Sequence, residues 1–253
     1  MSQLTDKVAI VTGAARGLGR AYAQAMAVEG AAVLVCDIND CDETVAIIRA
    51  AGGRVASATV DIANMESCQS MADAALAEFG RIDVMVNNAA LYGGLQGARF
   101  EQLDEAQWDA VMNVNVKGLW QSCKAVVEPM RAAGGGSIIN ISSLAAVYGL
   151  PYGLDYVASK AAVIGMTRGM ARELGKDSIR VNAVAPSAVM TEGTEDFFGE
   201  KLEKAKKVIA SGQVIQRNLE TSDLTGTIVY LASDSSAFVT GQTHMVDGGS
   251  WFL

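Results

Sequence analysis

The sequence predicts an α/β fold, in which residues 1–253 form one domain with a doubly wound, mostly parallel sheet of seven strands and helices on both faces. Short apolar runs rich in β-branched residues alternate with longer amphipathic stretches along the chain. The apolar runs are nearly continuous, as expected for strands buried on both faces of a parallel sheet. The length of 253 residues suits one large α/β domain or two small ones, and no linker rich in Pro, Gly or Ser divides the chain.

The predicted elements alternate between strand and helix. Strands are expected at 8–11, 32–36, 55–60, 82–86, 137–141, 179–184 and 242–246. Helices are expected where apolar residues recur at helical spacing, near 17–29, 41–51, 65–79, 104–132, 153–175 and 222–232. Gly134, Gly135 and Gly136 form a helix stop before the fifth strand. Right-handed crossovers between parallel strands then bring helices to both faces of the sheet.

The composition argues against several classes of function. A formal net charge of −8 argues against nucleic acid as the main partner, because proteins that bind it usually carry a basic face. Four cysteines without paired spacing and a single histidine, His244, predict no metal site. The N-terminus lacks an apolar signal segment, and no apolar run of about 18 residues occurs, so we expect a cytoplasmic protein with no membrane partner.

Three glycines follow the first predicted strand, where the first helix begins. Gly13, Gly17 and Gly19 have the spacing G-x-x-x-G-x-G. Glycine permits a tight turn and lets the backbone approach a pyrophosphate closely. The N-terminus of the following helix offers free N–H groups and the positive end of its dipole to the phosphates. The turn therefore predicts a dinucleotide-binding Rossmann fold.

Two charged residues bear on which dinucleotide is bound. Asp37 ends the second predicted strand, where a carboxylate accepts hydrogen bonds from the adenosine ribose hydroxyls and repels a 2′-phosphate. Arg16 lies within the glycine turn, and its positive charge favours a 2′-phosphate and hence NADP(H). We expect the carboxylate to decide the preference, so the predicted cofactor is NAD(H).

A tyrosine and a lysine four residues apart predict acid–base chemistry. Tyr156 and Lys160 lie one turn apart on the same face of a predicted helix, and Ser143 precedes the tyrosine by thirteen residues. Tyrosine titrates near pH ~10, and a neighbouring positive charge favours its phenolate. Together with a dinucleotide site, these residues predict hydride transfer coupled to proton transfer.

Four segments resemble, in order, motifs of the short-chain dehydrogenase/reductase family, and the resemblance covers nearly the whole chain. The segments are TGAARGLG at 12–19, NNAA at 87–90, NVNVKG at 113–118, and ISS at 141–143 followed by YVASK at 156–160. The chain departs from the family pattern at two positions. Ala90 stands where the family usually has glycine, and Ser187 replaces the glycine that commonly follows Pro186.

The resemblance implies particular site residues. The catalytic residues would be Asn115, Ser143, Tyr156 and Lys160. Asn115 is preferred to Asn113 because the family's asparagine stands three residues before a glycine, and Ser143 to Ser142 because of the interval to the tyrosine. The residues that would hold the cofactor are Gly13, Arg16, Gly17, Leu18, Gly19, Asp37, Asp61, Ile62, Asn88, Ala89, Tyr156, Lys160, Pro186, Val189 and Thr191.

The resemblance also implies a role for each catalytic residue. Tyr156 would exchange a proton with the substrate oxygen, and Ser143 would donate a hydrogen bond to that oxygen. Lys160 would lower the pKa of the tyrosine and hold a ribose hydroxyl. Asn115 would hold a water that relays protons to Lys160.

The predicted function is hydride transfer between NAD(H) and a lipophilic secondary alcohol or ketone. Residues 187–218 follow the carboxyl end of the sixth strand and interrupt the alternation of elements, where a substrate lid is expected. No obvious pair of basic residues is present to clamp a dicarboxylate. The substrate walls are predicted to be apolar or aromatic and to include Leu144, Tyr148, Tyr152 and Met190.

A homotetramer is the expected assembly. The helix that carries Gly165 and Gly169 presents small residues that let a second helix approach, and the family commonly forms tetramers through it. Two alternative functions share these motifs. One is an NADPH-dependent ketoreductase, such as a 3-oxoacyl-carrier-protein reductase, which Asp37 opposes. The other is a dinucleotide-sensing regulator, which has no need for Tyr156 and Lys160.

Overall fold

A computed structural model describes residues 2–252, and within them seven parallel strands form one sheet in the order β3-β2-β1-β4-β5-β6-β7. The strands are β1 (Val8–Thr12), β2 (Ala32–Asp37), β3 (Arg54–Thr59), β4 (Val84–Asn87), β5 (Gly136–Ile141), β6 (Ile179–Pro186) and β7 (Thr243–Val246). The predicted α/β fold with a doubly wound parallel sheet is confirmed. Most strand bounds differ from the predicted ones by one or two residues.

Helices connect successive strands and cover both faces of the sheet. They are α1 (Gly17–Val28), α2 (Asp42–Ala50), α3 (Met65–Phe79), α4 (Glu105–Met112), α5 (Leu119–Ala132), α6 (Ala145–Tyr148), α7 (Leu154–Leu174), α8 (Glu192–Phe198), α9 (Leu202–Ser211) and α10 (Ser222–Ala232). The short helix α6, which follows β5, was not among the predicted elements. Helices α8 and α9 lie within 187–218, so this segment has secondary structure of its own.

The prediction of a single helix over 104–132 is wrong in one respect. A π-helical segment, Asn113–Gly118, separates α4 from α5. A π turn holds one residue more than an α turn, so it shifts the helical pattern of apolar residues by one position. Such π segments are frequent at functional sites. Here the widened turn contains Asn115, one of the predicted catalytic residues.

Two apolar layers pack against the sheet, one on each face. Val33 and Val35 of β2 belong to the layer that contains Tyr22 of α1. Leu34, between them, belongs to the opposite layer, which contains Val126 of α5. Alternate strand residues therefore face opposite layers, and both are buried. Burying one such large apolar side chain contributes about 1.5–3 kcal/mol, which explains why the strands tolerate few polar residues.

The order of the strands reverses at β1, and this determines where a ligand can bind. Ile10 of β1 pairs with Leu34 of β2 on one side and with Met85 of β4 on the other. The connections from β1 to β2 and from β3 to β4 run to opposite sides of this point. A crevice opens outside the carboxyl ends of strands at such a switch point, and ligands of open α/β sheets bind there.

Residues 2–252 lack two features, a membrane-spanning helix and a cluster of metal-ligating side chains. None of the helices described there combines the length and apolar character required to traverse a bilayer. In the same part of the chain, no group of three or more His, Cys, Asp or Glu side chains is arranged to hold a metal ion. The four cysteines are all free and buried.

Candidate active site

A cavity of about 1300 Å³ lies at the carboxyl ends of the central strands. Thr12, Asp37, Ile141 and Pro186, which stand at or near the ends of four strands, line it. Residues of the 187–218 segment line it as well. The cavity therefore occupies the switch point of the sheet and extends to the segment predicted to form a lid.

The glycine turn at one end of the cavity requires glycine at each of its three positions. Gly13 and Gly17 have φ angles of 66° and 57°, in the left-handed region that favours glycine. A Cβ atom on Gly19 would lie 2.1 Å from the carbonyl oxygen of Gly13. The side-chain nitrogen of Asn88 fixes the turn by donating hydrogen bonds to the carbonyl oxygens of Thr12 and Gly13, both at 3.0 Å.

The Asp37 carboxylate lines the cavity beside this turn. One oxygen accepts a hydrogen bond from the backbone N–H of Ala15 at 3.1 Å. The other accepts from the backbone and side-chain nitrogens of Asn39, at 3.0 and 3.1 Å. These contacts hold the carboxylate at the end of β2, next to the N-terminus of α1. Asn39 itself lines the cavity and was not singled out from the sequence.

Arg16 also lines the cavity, but its guanidinium is paired with an acidic residue of the 187–218 segment. Its Nη2 atom lies 3.1 Å from a carboxylate oxygen of Asp196, and both side chains are about half exposed. The segment contacts the glycine turn at a second place, because a Cβ atom on Gly17 would lie 3.7 Å from Thr191 and Glu192. The N-terminal part of the 187–218 segment is therefore in contact with the glycine turn.

The remaining residues predicted to hold the cofactor line the same cavity, with one exception. Those that line it are Gly13, Gly17, Leu18, Asp61, Ile62, Asn88, Ala89, Tyr156, Lys160, Pro186, Val189 and Thr191. Gly19 lies behind the turn, where its lack of a side chain lets α1 pack against Gly13. A glycine-rich turn, the N-terminus of a helix and a carboxylate at the end of β2 fit a dinucleotide.

Three of the four predicted catalytic residues meet at the cavity. Ser143 follows β5, whereas Tyr156 and Lys160 lie on the first turns of α7, and all three line the cavity. Lys160 Nζ donates a hydrogen bond to the carbonyl oxygen of Ile141 at 2.9 Å. It also lies 5.8 Å from the centre of the Tyr156 ring. The hydrogen bond fixes the ammonium group between β5 and the tyrosine.

Burial disfavours the charged forms of both the tyrosine and the lysine. It raises the pKa of Tyr156 well above the ordinary value of 10.0; the nearby Tyr92 adds to the rise, and a hydrogen bond with Ser143 opposes it. Burial lowers the pKa of Lys160 from 10.5 to about 8. The chain alone therefore does not favour the phenolate of Tyr156, because desolvation outweighs the hydrogen bond with Ser143 in setting its pKa.

The fourth predicted catalytic residue, Asn115, lies outside the cavity lining and is almost fully buried. Its side-chain oxygen accepts from the backbone N–H of Leu91 at 2.7 Å, and its nitrogen donates to the carbonyl oxygen of the same residue at 3.1 Å. The nitrogen also contacts Ser159 Oγ at 3.1 Å. The side chain therefore joins the π-helical segment to the wall at Leu91 and to α7.

Aromatic rings connect Tyr156 to the 187–218 segment. The ring of Tyr92 lies 5.2 Å from that of Tyr156, centre to centre, and stacks on Phe197 of α8 at 4.9 Å. Phe197 in turn meets Phe198 edge to face at 5.1 Å. Aromatic pairs with these separations are typically worth about 0.5–1.5 kcal/mol beyond the area they bury. One wall of the cavity is therefore a continuous row of rings.

Two of the four predicted substrate residues line the cavity, and two do not. Leu144 and Tyr148 line it, on the short stretch after β5. Tyr152 is 65% exposed, has a φ of 66°, and is not among the lining residues. Met190 faces a separate small depression beside α1. The preceding residue, Val189, lines the main cavity and pairs with Leu219 in an extended bridge. Because neighbouring residues of an extended chain point to opposite sides, the side chain of Met190 is directed away from the main cavity.

The fold and the cavity define a dinucleotide-binding oxidoreductase of the α/β class. A family model described as "Enoyl-(Acyl carrier protein) reductase" matches residues 13–250. The chain belongs to the short-chain dehydrogenase/reductase family and is an oxidoreductase of the short-chain type. The family uses a nicotinamide dinucleotide as its cofactor.

Relatives with several names are similar over almost the full length. The chain is 39% identical to a 3-oxoacyl-(acyl-carrier-protein) reductase of Thermotoga maritima, with 98% of each chain covered. It is 38% identical to a D-threitol dehydrogenase of Mycolicibacterium smegmatis, covering 98% of this chain and 94% of the relative. Carveol dehydrogenase of Mycobacterium avium, solved with NAD, matches with a TM-score of 0.92 at 31% identity, with 99% of each chain covered. Levodione reductase has the same TM-score at 29% identity, with 97% of each chain covered.

Proposed function

We propose that the protein transfers a hydride between NAD(H) and a lipophilic secondary alcohol or ketone, with Tyr156 as the acid/base. The observation that carries this proposal is that Tyr156 and Lys160 line the same cavity as Asp37 and the glycine turn. A proton-transfer group and a dinucleotide site in one cavity suit the oxidation of a CH–OH group. A bound nicotinamide ring supplies the hydride acceptor for oxidation and the hydride donor for reduction.

The side chains of the site divide the proton chemistry among them. In oxidation, Tyr156 Oη takes the proton of the substrate hydroxyl, and in reduction it returns that proton to the carbonyl oxygen. Ser143 donates a hydrogen bond to the same oxygen, where charge develops. Lys160 holds a ribose hydroxyl and adds positive charge beside the tyrosine. This charge and that of the oxidised cofactor act against the burial that raises the pKa of Tyr156.

Asn115 serves the proposed reaction by fixing one wall of the site. Its two hydrogen bonds to the Leu91 backbone hold the start of the 91–99 loop against the π-helical segment. Tyr92, the next residue, packs on the ring of Tyr156. The predicted role of Asn115 in holding a water that relays protons to Lys160 remains part of the proposal.

The contacts of two charged residues support the proposed preference for NAD(H). Asp37 lines the cavity with its carboxylate fixed by three hydrogen bonds, and it repels a 2′-phosphate. The positive charge of Arg16, which favours such a phosphate, is partly offset by Asp196 at 3.1 Å. The structure of carveol dehydrogenase with bound NAD also supports NAD(H).

An NADPH-dependent ketoreductase is the second candidate, and two observations favour it. Arg16 lines the cavity and would meet a 2′-phosphate if its pair with Asp196 opened. The 39% identity to a 3-oxoacyl-(acyl-carrier-protein) reductase points the same way. Titration of the purified protein with NADH and NADPH, followed by nicotinamide fluorescence, separates the candidates. Tighter NADH binding, followed by oxidation of lipophilic secondary alcohols, supports the first.

The 187–218 segment is proposed to act as the substrate lid of a single catalytic domain. Its helix α8 contacts the glycine turn through Asp196 and the substrate wall through Phe197. Phe198 and Ile209 of the same segment line the cavity. A mainly apolar wall on a segment outside the sheet suits a lipophilic substrate that enters when the segment moves away.

A homotetramer is the proposed assembly. Gly165 and Gly169 are exposed on α7, and a Cβ atom on either would meet nothing within 4 Å, so a second helix has room to approach. Phe238 and Phe252 are 104% and 78% exposed, and contact with a second subunit would remove these rings from water. Sedimentation velocity at micromolar protein concentration measures the assembly directly, and a monomer would contradict it.

A further inference from the structure

Two lysines at the cavity, Lys201 and Lys204, have no part in the proposed proton chemistry. Both residues are exposed to solvent and also line the cavity, so they stand at its rim. Within residues 2–252, neither forms an ion pair. By contrast, Lys206 on the same helix pairs with Glu203 at 2.9 Å. The rim therefore carries two lysines that form no ion pair within 4 Å with an acidic side chain of residues 2–252.

The helix that carries Lys204 also presents apolar side chains to the cavity. Ala205, Val208 and Ile209 of α9 line it, and Val208 is 61% exposed. No residue of α9 is buried, although amphipathic helices normally bury their apolar face. A ligand in the cavity would cover these side chains, since they are continuous with the wall formed by Phe198.

The acidic residues of the cavity lie outside helix α9. Asp37 and Asp61 belong to the ends of β2 and β3, and Glu192 and Asp196 lie beside the glycine turn. Among the described residues, those of 197–209 that line the cavity include no acid. The rim at α9 is therefore the electropositive end of an otherwise apolar substrate wall, and it favours an anion.

We propose that the substrate carries a single anionic oxygen group at the end remote from the carbon that reacts, and that Lys201 and Lys204 bind this group. This inference rests on the proposed function. The apolar body of the substrate lies against α9 and Phe198, and its carbonyl or hydroxyl group reaches Ser143 and Tyr156. The substrate class is thus a lipophilic oxo acid or hydroxy acid, not a neutral alcohol or a dicarboxylate.

A pair of matched substrates tests the proposal by kinetics. The rate of NADH oxidation is measured with 7-oxooctanoate and with its methyl ester, which has the same ketone and chain but no charge. The wild-type protein is expected to prefer the acid. In K201Q/K204Q, the ratio of kcat/KM for the acid to kcat/KM for the ester is expected to fall by roughly five- to tenfold, mainly because KM for the acid rises. K206Q/K207Q is the control, because it removes two charges of helix α9 that lie outside the cavity lining.

A binding measurement tests the proposal independently of turnover. Octanoate, octyl phosphate and octanol are titrated calorimetrically into the wild-type protein and both variants with NADH present. Binding of either anion that weakens in K201Q/K204Q and not in K206Q/K207Q supports the proposal, and the preferred anion identifies a carboxylate or a phosphate. Octanol is expected to bind equally to all three proteins.

Four outcomes overturn the proposal. Equal preference for the acid and the ester in the wild-type protein means that the rim does not select an anion. Unchanged anion binding in K201Q/K204Q means that the lysines have no role in binding the anion. A NADH affinity that falls in this variant alone means that the lysines bind the cofactor. A change in sedimentation of this variant assigns them to a subunit contact.

If neither ketone is reduced but octanoate binding depends on the lysines, the proposed function fails and the anion site stands.

Discussion

The side chains of Ser187 and Gln213 lie 3.2 Å apart and join the two ends of the 187–218 segment. The buried amide of Gln213 accepts from the serine hydroxyl and donates to the carbonyl oxygens of Ile215 and Arg217, at 3.2 and 2.7 Å. The serine that replaces the usual glycine after Pro186 thus gains a partner within the chain. Its hydroxyl fastens the far end of the segment to the strand from which the segment departs.

Removing this contact is expected to lower stability. Gln213→Ala takes a buried donor from two carbonyl groups and should lower the free energy of unfolding by about 1–3 kcal/mol. Ser187→Ala removes one hydrogen bond and should lower it by about 0.5–1.5 kcal/mol. Urea denaturation measures both. Ser211→Ala is the matched control, since its hydroxyl is exposed, and a loss as large as that of Ser187→Ala would contradict the assignment.

Replacing Tyr156 by Phe is expected to stop the chemistry while preserving the cofactor site. The variant retains the ring that packs on Tyr92 but loses the group that exchanges the proton. Turnover should fall by about 10²–10⁴-fold, the usual contribution of a positioned acid/base. NADH binding, measured by fluorescence, should change little. Tyr148→Phe, which alters another tyrosine of the cavity, serves as the control, and equal losses in both variants would remove Tyr156 from its proposed role.

The pKa of Lys160 predicts a dependence of stability on pH in the cofactor-free protein. Burial lowers this pKa to about 8, against 10.5 for the exposed group. Below pH 8 the folded and unfolded states both hold the proton, so the cost of the buried charge is fully present. Between pH 8 and 10.5 the unfolded state binds more protons, and stability therefore rises with pH.

Lys160→Met is expected to be the more stable protein at pH 7, because it buries no charge. One pKa unit corresponds to about 1.4 kcal/mol, so the gain could reach ~3 kcal/mol, less the lost hydrogen bond to Ile141. The difference from the wild-type protein should shrink as the pH rises from 8 to 10.5. Denaturant unfolding across this range measures it, with Lys207→Met as an exposed control. A difference that does not vary with pH would refute the prediction.

Asp37 is expected to set the choice between NADH and NADPH. Asp37→Ala removes the hydrogen-bond acceptor for the ribose and the repulsion of a 2′-phosphate, so the ratio of the two affinities should move toward NADPH by about tenfold or more. Fluorescence titration with both cofactors measures the ratio. Asp40→Ala removes an exposed carboxylate that does not line the cavity, and an equal shift there would indicate a general effect of charge.

The sheet could be predicted from the sequence because its strands are short apolar runs buried on both faces. The division of the 104–132 helix could not, since the π turn at Asn113–Gly118 changes the hydrophobic period by only one residue. The helices α8 and α9 were also not resolved in advance. Helix α8 is held by contacts with the glycine turn and with Tyr92, which are distant from it in sequence.

Most of the site residues predicted from motifs with a fixed spacing do line the cavity, because the ends of parallel strands and the first turn of a helix have fixed directions. Loop residues were less predictable. Tyr152 has a left-handed backbone and is exposed, and the alternation after Val189 turns Met190 away from the cavity. Lys201 and Lys204 were missed because lysines in a charged helical stretch look like an ordinary solvated face.

Two consecutive residues of helix α8 contact different halves of the site, since Asp196 pairs with Arg16 and Phe197 stacks on Tyr92. A cofactor that disturbs the first contact therefore acts on the wall that receives the substrate. Such coupling is reciprocal: whatever factor the cofactor imposes on substrate affinity, the substrate imposes on cofactor affinity. Helix α8 would in this way couple the two halves of the cavity, so that occupation of either half changes the affinity of the other.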